Sequence, residues 1–275
     1  MPPTTSPPPR TTAGTPARRV SASTSPSPGA TARTLISTFV RWTSLRQSPT
    51  DGIAVRCSGL HAGYDGTPVL CGLDLEIRGR EIVSVSGASG SGKSTLLLTL
   101  AGLLPPTAGE VIVEGTAVYQ LDADARTTFR RENVGLIFQF GQLVAELTAG
   151  DNVALPLLLG GARRHRATEQ ARAILGELGL GEMVSRYPHQ LSGGQRQRVA
   201  VARALVNEPL VVLADEPTGS LDSRTSQDVL DLLCRSTQQA GASLVLVTHD
   251  EGVARRADRQ LYLHDGTLAT ESLRP

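Results

Sequence analysis

The run Gly87-Ala88-Ser89-Gly90-Ser91-Gly92-Lys93-Ser94 constrains the fold more than any other part of this chain. It follows directly on residues 81–86, a β-type segment, and it enters residues 93–103, which read as a helix ending at Gly102. Strand, glycine-rich loop and helix in that order, with GxxxxGK[ST] filled at every fixed position, form a phosphate-binding loop. Small residues let backbone N–H groups wrap a phosphate, and the helix start adds its own free N–H groups and dipole. In such a loop Lys93 reaches the β- and γ-phosphates and the Ser94 hydroxyl can hold Mg²⁺, with Thr95 next on the same turn. Lys93 is also the only lysine in the chain, every other one of its 27 basic residues being arginine. A coding bias towards arginine accounts for the excess; the retained ammonium marks a slot that a guanidinium does not fill.

Strands and helices alternate around that juncture. Residues 55–57, 69–77, 111–113 and 134–139 read as strands, and 260–263 with Asp265-Gly266 as a terminal hairpin. The continuous apolar run 210–214 reads as a strand buried on both faces, and 243–248 as another buried strand. Helices are expected over 193–207 and 223–240, and helical periodicity with several loops through 143–190. This order predicts an α/β fold with a mostly parallel sheet covered on both faces. A hydrophobic fraction of 40% supplies its core, and a formal net charge of +1 gives no overall basic footprint for nucleic acid. Cys57, Cys71 and Cys234 are widely spaced and form no CxxC pair, which argues against a disulfide framework or a cysteine zinc site. No run of 18 apolar residues is present to span a membrane, and no apolar segment near Met1 resembles a secretory leader. His61, His165, His189 and His264 lack ligand-like spacing and read as surface or loop residues, and 163–166 as a solvated helix face.

Charge divides the chain. Six arginines precede the first acidic residue, Asp51, whereas the remaining 225 residues carry 21 basic and 26 acidic ones. The first 50 residues are also rich in Pro, Ser and Thr, which predicts a disordered basic arm ahead of one domain over 51–275, with a helical subdomain at about 143–205. Within the arm, Leu35, Phe39, Trp42 and Leu45 recur at helical spacing opposite Arg33 and Arg41, a pattern that suits a short helix on anionic lipid.

Two further constellations carry chemistry. The strand 210–214 ends in Asp215-Glu216, and parallel sheets present functional groups at the carboxyl ends of their strands. Asp215 is suited to Mg²⁺, and Glu216 to polarising a water for attack on a γ-phosphate. Leu191-Ser192-Gly193-Gly194-Gln195 then precedes an arginine-rich helix, a second small-residue loop at a helix start.

These last residues resemble the LSGGQ signature of ABC-type ATPases, and the remaining family marks follow in order: Gln139 as the Q-loop, Ser220-Leu221-Asp222 as the D-loop and Thr248-His249-Asp250 as the H-loop. The resemblance covers about 53–270. It implies a P-loop NTPase of ABC type, whose mostly parallel core sheet carries an antiparallel β subdomain and a helical subdomain. It implies Tyr64 stacked on adenine, His249 at the γ-phosphate, Gln139 sensing Mg²⁺ and the attacking water, and Asp222 communicating across a dimer. It also implies a homodimer in which each ATP lies between the Walker loop of one subunit and Ser192, Gly193, Gly194 and Gln195 of the other. The stretch 214–223 is similar to that of the lipoprotein-release, macrolide-export and antimicrobial-peptide-export ATPases, with Ser220 where asparagine is usual. In that group Leu147 to Val153 meets the membrane subunit, and here Gly150-Asp151 replaces the usual Leu-Glu. The apolar segment 153–159 is expected to share in that docking surface or to be core of the helical subdomain. The expectation is therefore an ATPase at the cytoplasmic face of the cell membrane, powering export or release through an integral membrane permease subunit. The alternative is a non-transport membrane complex of the cell-division type. ABC ATPases of DNA repair or ribosomes carry coiled-coil insertions or two ATPase domains, and this chain has neither pattern.

Overall fold

The computed structural model describes residues 52–139 and 141–269; the basic arm and its expected lipid-facing helix lie outside them. In chain order the strands are β1 (Ile53–Tyr64), β2 (Thr67–Arg78), β3 (Ile82–Ser86), β4 (Ala108–Val113), β5 (Thr116–Ala117), β6 (Val134–Ile137), β7 (Val211–Asp215), β8 (Ser243–Val247), β9 (Arg259–His264) and β10 (Thr267–Ala269). The helices are α1 (Lys93–Leu100), α2 (Ala123–Asn133), α3 (Ala149–Leu159), α4 (Arg164–Glu177), α5 (Gly193–Leu205), α6 (Ser223–Gln239) and α7 (Glu251–Ala254).

The central sheet has the order β10-β9-β3-β8-β7-β6 and is parallel except at its β10 edge. Its central strands β3, β8 and β7 are mostly apolar because each faces two cores. Leu244 and Leu246 of β8 join Ile82, Val212 and Ala214 in a core shared with helices α3 to α6. Val245 and Val247 point the other way, with Val83, Val85 and Leu213, into a core shared with α1 and the second sheet. Each such side chain contributes about 1.5–3 kcal/mol by leaving water. The second sheet, β2-β1-β4-β5, is antiparallel throughout. The expected hairpin at 265–266 is present: Asp265 and Gly266 have φ of 46° and 75°, and His264 pairs with Thr267. His61, His165, His189 and His264 are all exposed, as expected.

Two of the differences from expectation have plain physical reasons. β1 runs 12 residues where a short strand at 55–57 was expected, because it absorbs Gly59 and Gly63 through shifts of register instead of ending at them. Helix α2 was not expected, because none of its residues is buried and it shows no apolar stripe. Its sequence mark is the cap alone: the Asp122 carboxylate accepts from the Ala125 N–H at 2.8 Å.

Of the two roles expected for the segment 153–159, the core role holds for its first residues. Val153 and Ala154 are buried in the helical core, whereas Leu159 is exposed. Ahead of them, fully buried Asn152 stitches down the preceding loop. Its Oδ1 accepts from the Val144 N–H at 2.8 Å, and its Nδ2 is shared among the carbonyls of Val144, Leu147 and Thr148 at 3.0–3.1 Å.

Asn152→Ala should cost about 2–3 kcal/mol, since it leaves buried backbone groups unpaired. Asn152→Asp should cost at least as much at neutral pH, because a carboxylate would face three carbonyls. That charge is disfavoured in the fold, so the pKa of the introduced acid would be raised, and the extra penalty should shrink as pH falls through it. Urea midpoints of both variants at two pH values check this; equal midpoints for Asn152→Ala and the parent would remove the stitch from the account.

Candidate functional site

The phosphate loop connects β3 to α1. Gly87 has φ 154°, and a Cβ there would collide with the carbonyl oxygen of Leu263 on β9, so no larger residue fits. The α1 N-cap is Gly92, which offers no side chain, and the first turn of α1 carries no acid. Its N–H groups are therefore left for an external anion. The Lys93 ammonium folds back over the loop, donating to the carbonyls of Gly87 at 2.9 Å and Ala88 at 2.8 Å. Buried Ser91 has a hydroxyl with no hydrogen-bond partner among the described residues. An ammonium, an uncapped helix start and an orphaned hydroxyl form a donor set that suits a polyphosphate.

The second half of the site arrives from β7 and β8. The Ser94 hydroxyl donates to Asp215 Oδ2 at 2.9 Å. Burial above all, helped by the neighbouring Glu216 charge, raises the Asp215 carboxyl above its ordinary pKa, and the Ser94 bond and Lys93 only partly oppose this. A hydroxyl and a carboxylate side by side are oxygen ligands of the kind Mg²⁺ takes.

The next residue, Glu216, has φ 46°, a left-handed conformation unfavourable for its side chain. A backbone bond from its N–H to the Val247 carbonyl at 3.0 Å holds it there. Its side chain is 17% exposed, and Oε1 accepts from the His249 N–H at 3.0 Å and lies 2.6 Å from His249 Nδ1. The imidazole itself is 71% exposed. Gln139 sits close by, its amide nitrogen 3.2 Å from where a Cβ on Gly219 would stand. A carboxylate fixed in this way can accept a proton from a bound water. Sequence reasoning singled out both Glu216 and His249 but not their contact; the signal was that each follows one of two adjacent parallel strands.

Around the second loop, Ser192 caps α5 and forms a closed box with Gln195. The serine hydroxyl accepts from the Gln195 N–H at 3.2 Å, and Gln195 Oε1 accepts from the Ser192 N–H at 2.8 Å. Gly194 faces the Thr225 methyl group too closely to admit a Cβ, and Leu221 covers Gly193. Asp222 caps α6, accepting from the Thr225 N–H at 3.1 Å, and hydrogen bonds from Thr225 hold its carboxyl below the usual range. Residues 192–195 and 221–222 are thus brought together, while no hydrogen bond among the described residues joins 192–195 to 87–95. Tyr64 is 46% exposed at the turn between β1 and β2, and Val69 and Leu70 of that hairpin pack against Gly92.

Comparison with known proteins identifies the family. The family model described as ABC transporter matches residues 70–219. The lipoprotein-releasing system ATP-binding protein LolD of Bacteroides thetaiotaomicron is 44% identical over 78% of this chain and 98% of its own. The protein of the same name from Bordetella avium is 46% identical over 78% of this chain and 95% of its own. Among solved structures, the ATP-binding cassette MJ0796, a dimer in a post-hydrolysis state bound to ADP and Pi, is 38% identical with a TM-score of 0.72. It covers 80% of this chain and 99% of its own. With a family model matching more than half of its length and near-full-length relatives well above 30% identity, this chain belongs to the ABC transporter family and is an ATP-hydrolysing subunit of it.

Proposed function

We propose that this chain hydrolyses ATP at an interface between two copies of itself and so powers release or export of a substrate through a separate integral membrane subunit. The observation that supports the chemistry best is the Glu216 carboxylate, held by His249 beside the Ser94–Asp215 pair. In this reading the N–H groups of Gly87 to Thr95 and the Lys93 ammonium bind the β- and γ-phosphates, and Tyr64 stacks on adenine. Ser94, Asp215 and Gln139 hold Mg²⁺. The ion, when bound, neutralises charge building on the transferring phosphoryl oxygens. Glu216 takes the proton of the attacking water, and His249 keeps that carboxylate oriented while its outward edge meets the γ-phosphate. Ser192 to Gln195 of one subunit close over the phosphates of the other, and Asp222 lies at the seam between the two sites.

The missing connection within one chain between 192–195 and 87–95 is consistent with such an exchange between copies. The relatives named for lipoprotein release support the transport class, and the dimeric cassette supports the pairing. No helix among the described residues is long and apolar enough to cross a membrane, so the path through the bilayer is assigned to the partner, with this chain peripheral on the cytoplasmic face.

Glu216→Gln tests the reading most directly. It should retain ATP affinity, lose turnover by a factor of roughly 10² or more, and accumulate as an ATP-bound dimer on size exclusion. A monomer at saturating ATP, or wild-type turnover, contradicts it.

Lys93→Ala should weaken ATP binding and turnover together, and Lys93→Arg should not restore them, because the guanidinium fork is too large for the loop that the compact ammonium fits. Calorimetric titration with ATP decides; near-normal affinity in both variants would move the nucleotide elsewhere.

Tyr64→Ala should raise the KM for ATP with little change in kcat, as expected when about 1 kcal/mol of uniform stacking energy is removed. A collapse of kcat at constant KM would place Tyr64 at the chemistry instead.

A further inference from the structure

Arg203 stands near the carboxyl end of α5, the helix that begins at the Ser192 cap. Its guanidinium is partly buried and forms no ion pair among the described residues. Nη1 donates instead to the Gln142 carbonyl at 2.9 Å, and Nη2 to the Gly141 carbonyl at 3.0 Å. Both acceptors belong to a left-handed turn, with φ 74° at Gly141 and 40° at Gln142. A glutamine is disfavoured in that conformation and persists there only where its surroundings hold it. The two adjacent carbonyls match the fork of an arginine, whose parallel N–H groups a lysine does not possess. Burial also lowers the Arg203 pKa, in keeping with a cation partnered only by carbonyl dipoles.

The same helix grips the chain on the other side of Gln139. Gln197 is 2% exposed, and its Nε2 donates to the Phe138 carbonyl at 3.4 Å. Gly141 lies against the backbone of Arg196 and the side chain of Ala200. One helix thus holds the backbone before and after Gln139, while its first turn is the capped 192–195 loop, about 15 Å away along the helix axis. Beyond the turn, Asn152 fixes Val144, Leu147 and Thr148.

We infer that Arg203 is a positioning residue whose two hydrogen bonds clamp the Gly141–Gln142 turn to α5, so that the chain around Gln139 and the 192–195 loop move as one body. The inference rests on the roles proposed above for Gln139 and 192–195. Displacement of the loop after Gln139 is then delivered through a rigid helix to the loop that closes on the other subunit's ATP. It does not have to pass through the nucleotide of its own subunit.

The test uses the full chain with Mg²⁺ and ATP, combining steady-state ATPase rates with hydrogen exchange. Arg203→Gln should lower kcat about tenfold while KM for ATP changes less than twofold. It should speed amide exchange over 141–148 and abolish the ATP-dependent protection of 192–196. Arg203→Lys, which keeps the charge but lacks the planar fork with its parallel N–H groups, should fall between Arg203→Gln and the parent in both readouts. Asn207→Ala serves as the stability control: Asn207 follows the same helix and donates to the Arg131 carbonyl at 2.8 Å, remote from the turn. If Asn207→Ala lowers kcat as much as Arg203→Gln, or if Arg203→Gln leaves kcat or the exchange of 141–148 unchanged, the clamp is refuted. Glu216→Gln, run alongside, separates the two readings. Its failure to lower turnover would overturn the site roles proposed above, whereas its expected loss beside a normal Arg203→Gln overturns only the clamp.

Discussion

The parallel ladder that joins β3 to β8 and β8 to β7 brings together groups that the chain keeps far apart. Ser94 and Asp215 are 121 positions distant, yet their side chains hydrogen-bond because β3 and β7 flank the same strand and end at the same edge. The arrangement has a direct energetic origin. Val83, Val85, Val212, Leu244 and Leu246 are all essentially buried, and a slip of register would move apolar side chains between the two cores as well as separating the polar groups at the strand ends. The precision of the site is thus inherited from packing that contains no functional residue.

Past the strand ends the chain departs from regular structure, and there strain appears beside function. Glu216 and Gln142 both adopt left-handed backbone, and each is restrained from outside its own turn, Glu216 by Val247 and His249 and Gln142 by Arg203. Such residues cost of order 1–3 kcal/mol each when the surroundings must impose them. The capping box at Ser192 and Gln195 works in the opposite sense: it satisfies helix-end groups locally and holds the loop in shape.

How much of this could be read in advance depended on whether the signal was local. The phosphate loop, the Asp215-Glu216 pair and the small-residue loop at 192–195 are contiguous, so residue type and spacing expose them directly. The central strands were legible because burial on both faces demands an unbroken apolar run, as in 244–247. Helix α2 was not, because a helix with no buried face leaves no periodic trace. The clamp at Arg203 was hidden for a different reason. In sequence it is one arginine among many, and its partners are backbone carbonyls, which every residue possesses. Nor does the sequence distinguish the two ends of 153–159; only the packing of α3 separates buried Val153 from exposed Leu159.

The order of strands has a consequence for biosynthesis. Among the described residues β3 pairs with two strands, β8 and β9, both of which lie well over a hundred residues downstream. At translation rates of about 5–20 residues per second, the strand leading into the phosphate loop must wait on the order of ten seconds for either neighbour to be made. Until then its two edges are unpaired and highly apolar, a state prone to misassociation. The nascent chain is therefore most vulnerable over the interval in which α2 to α6 are produced.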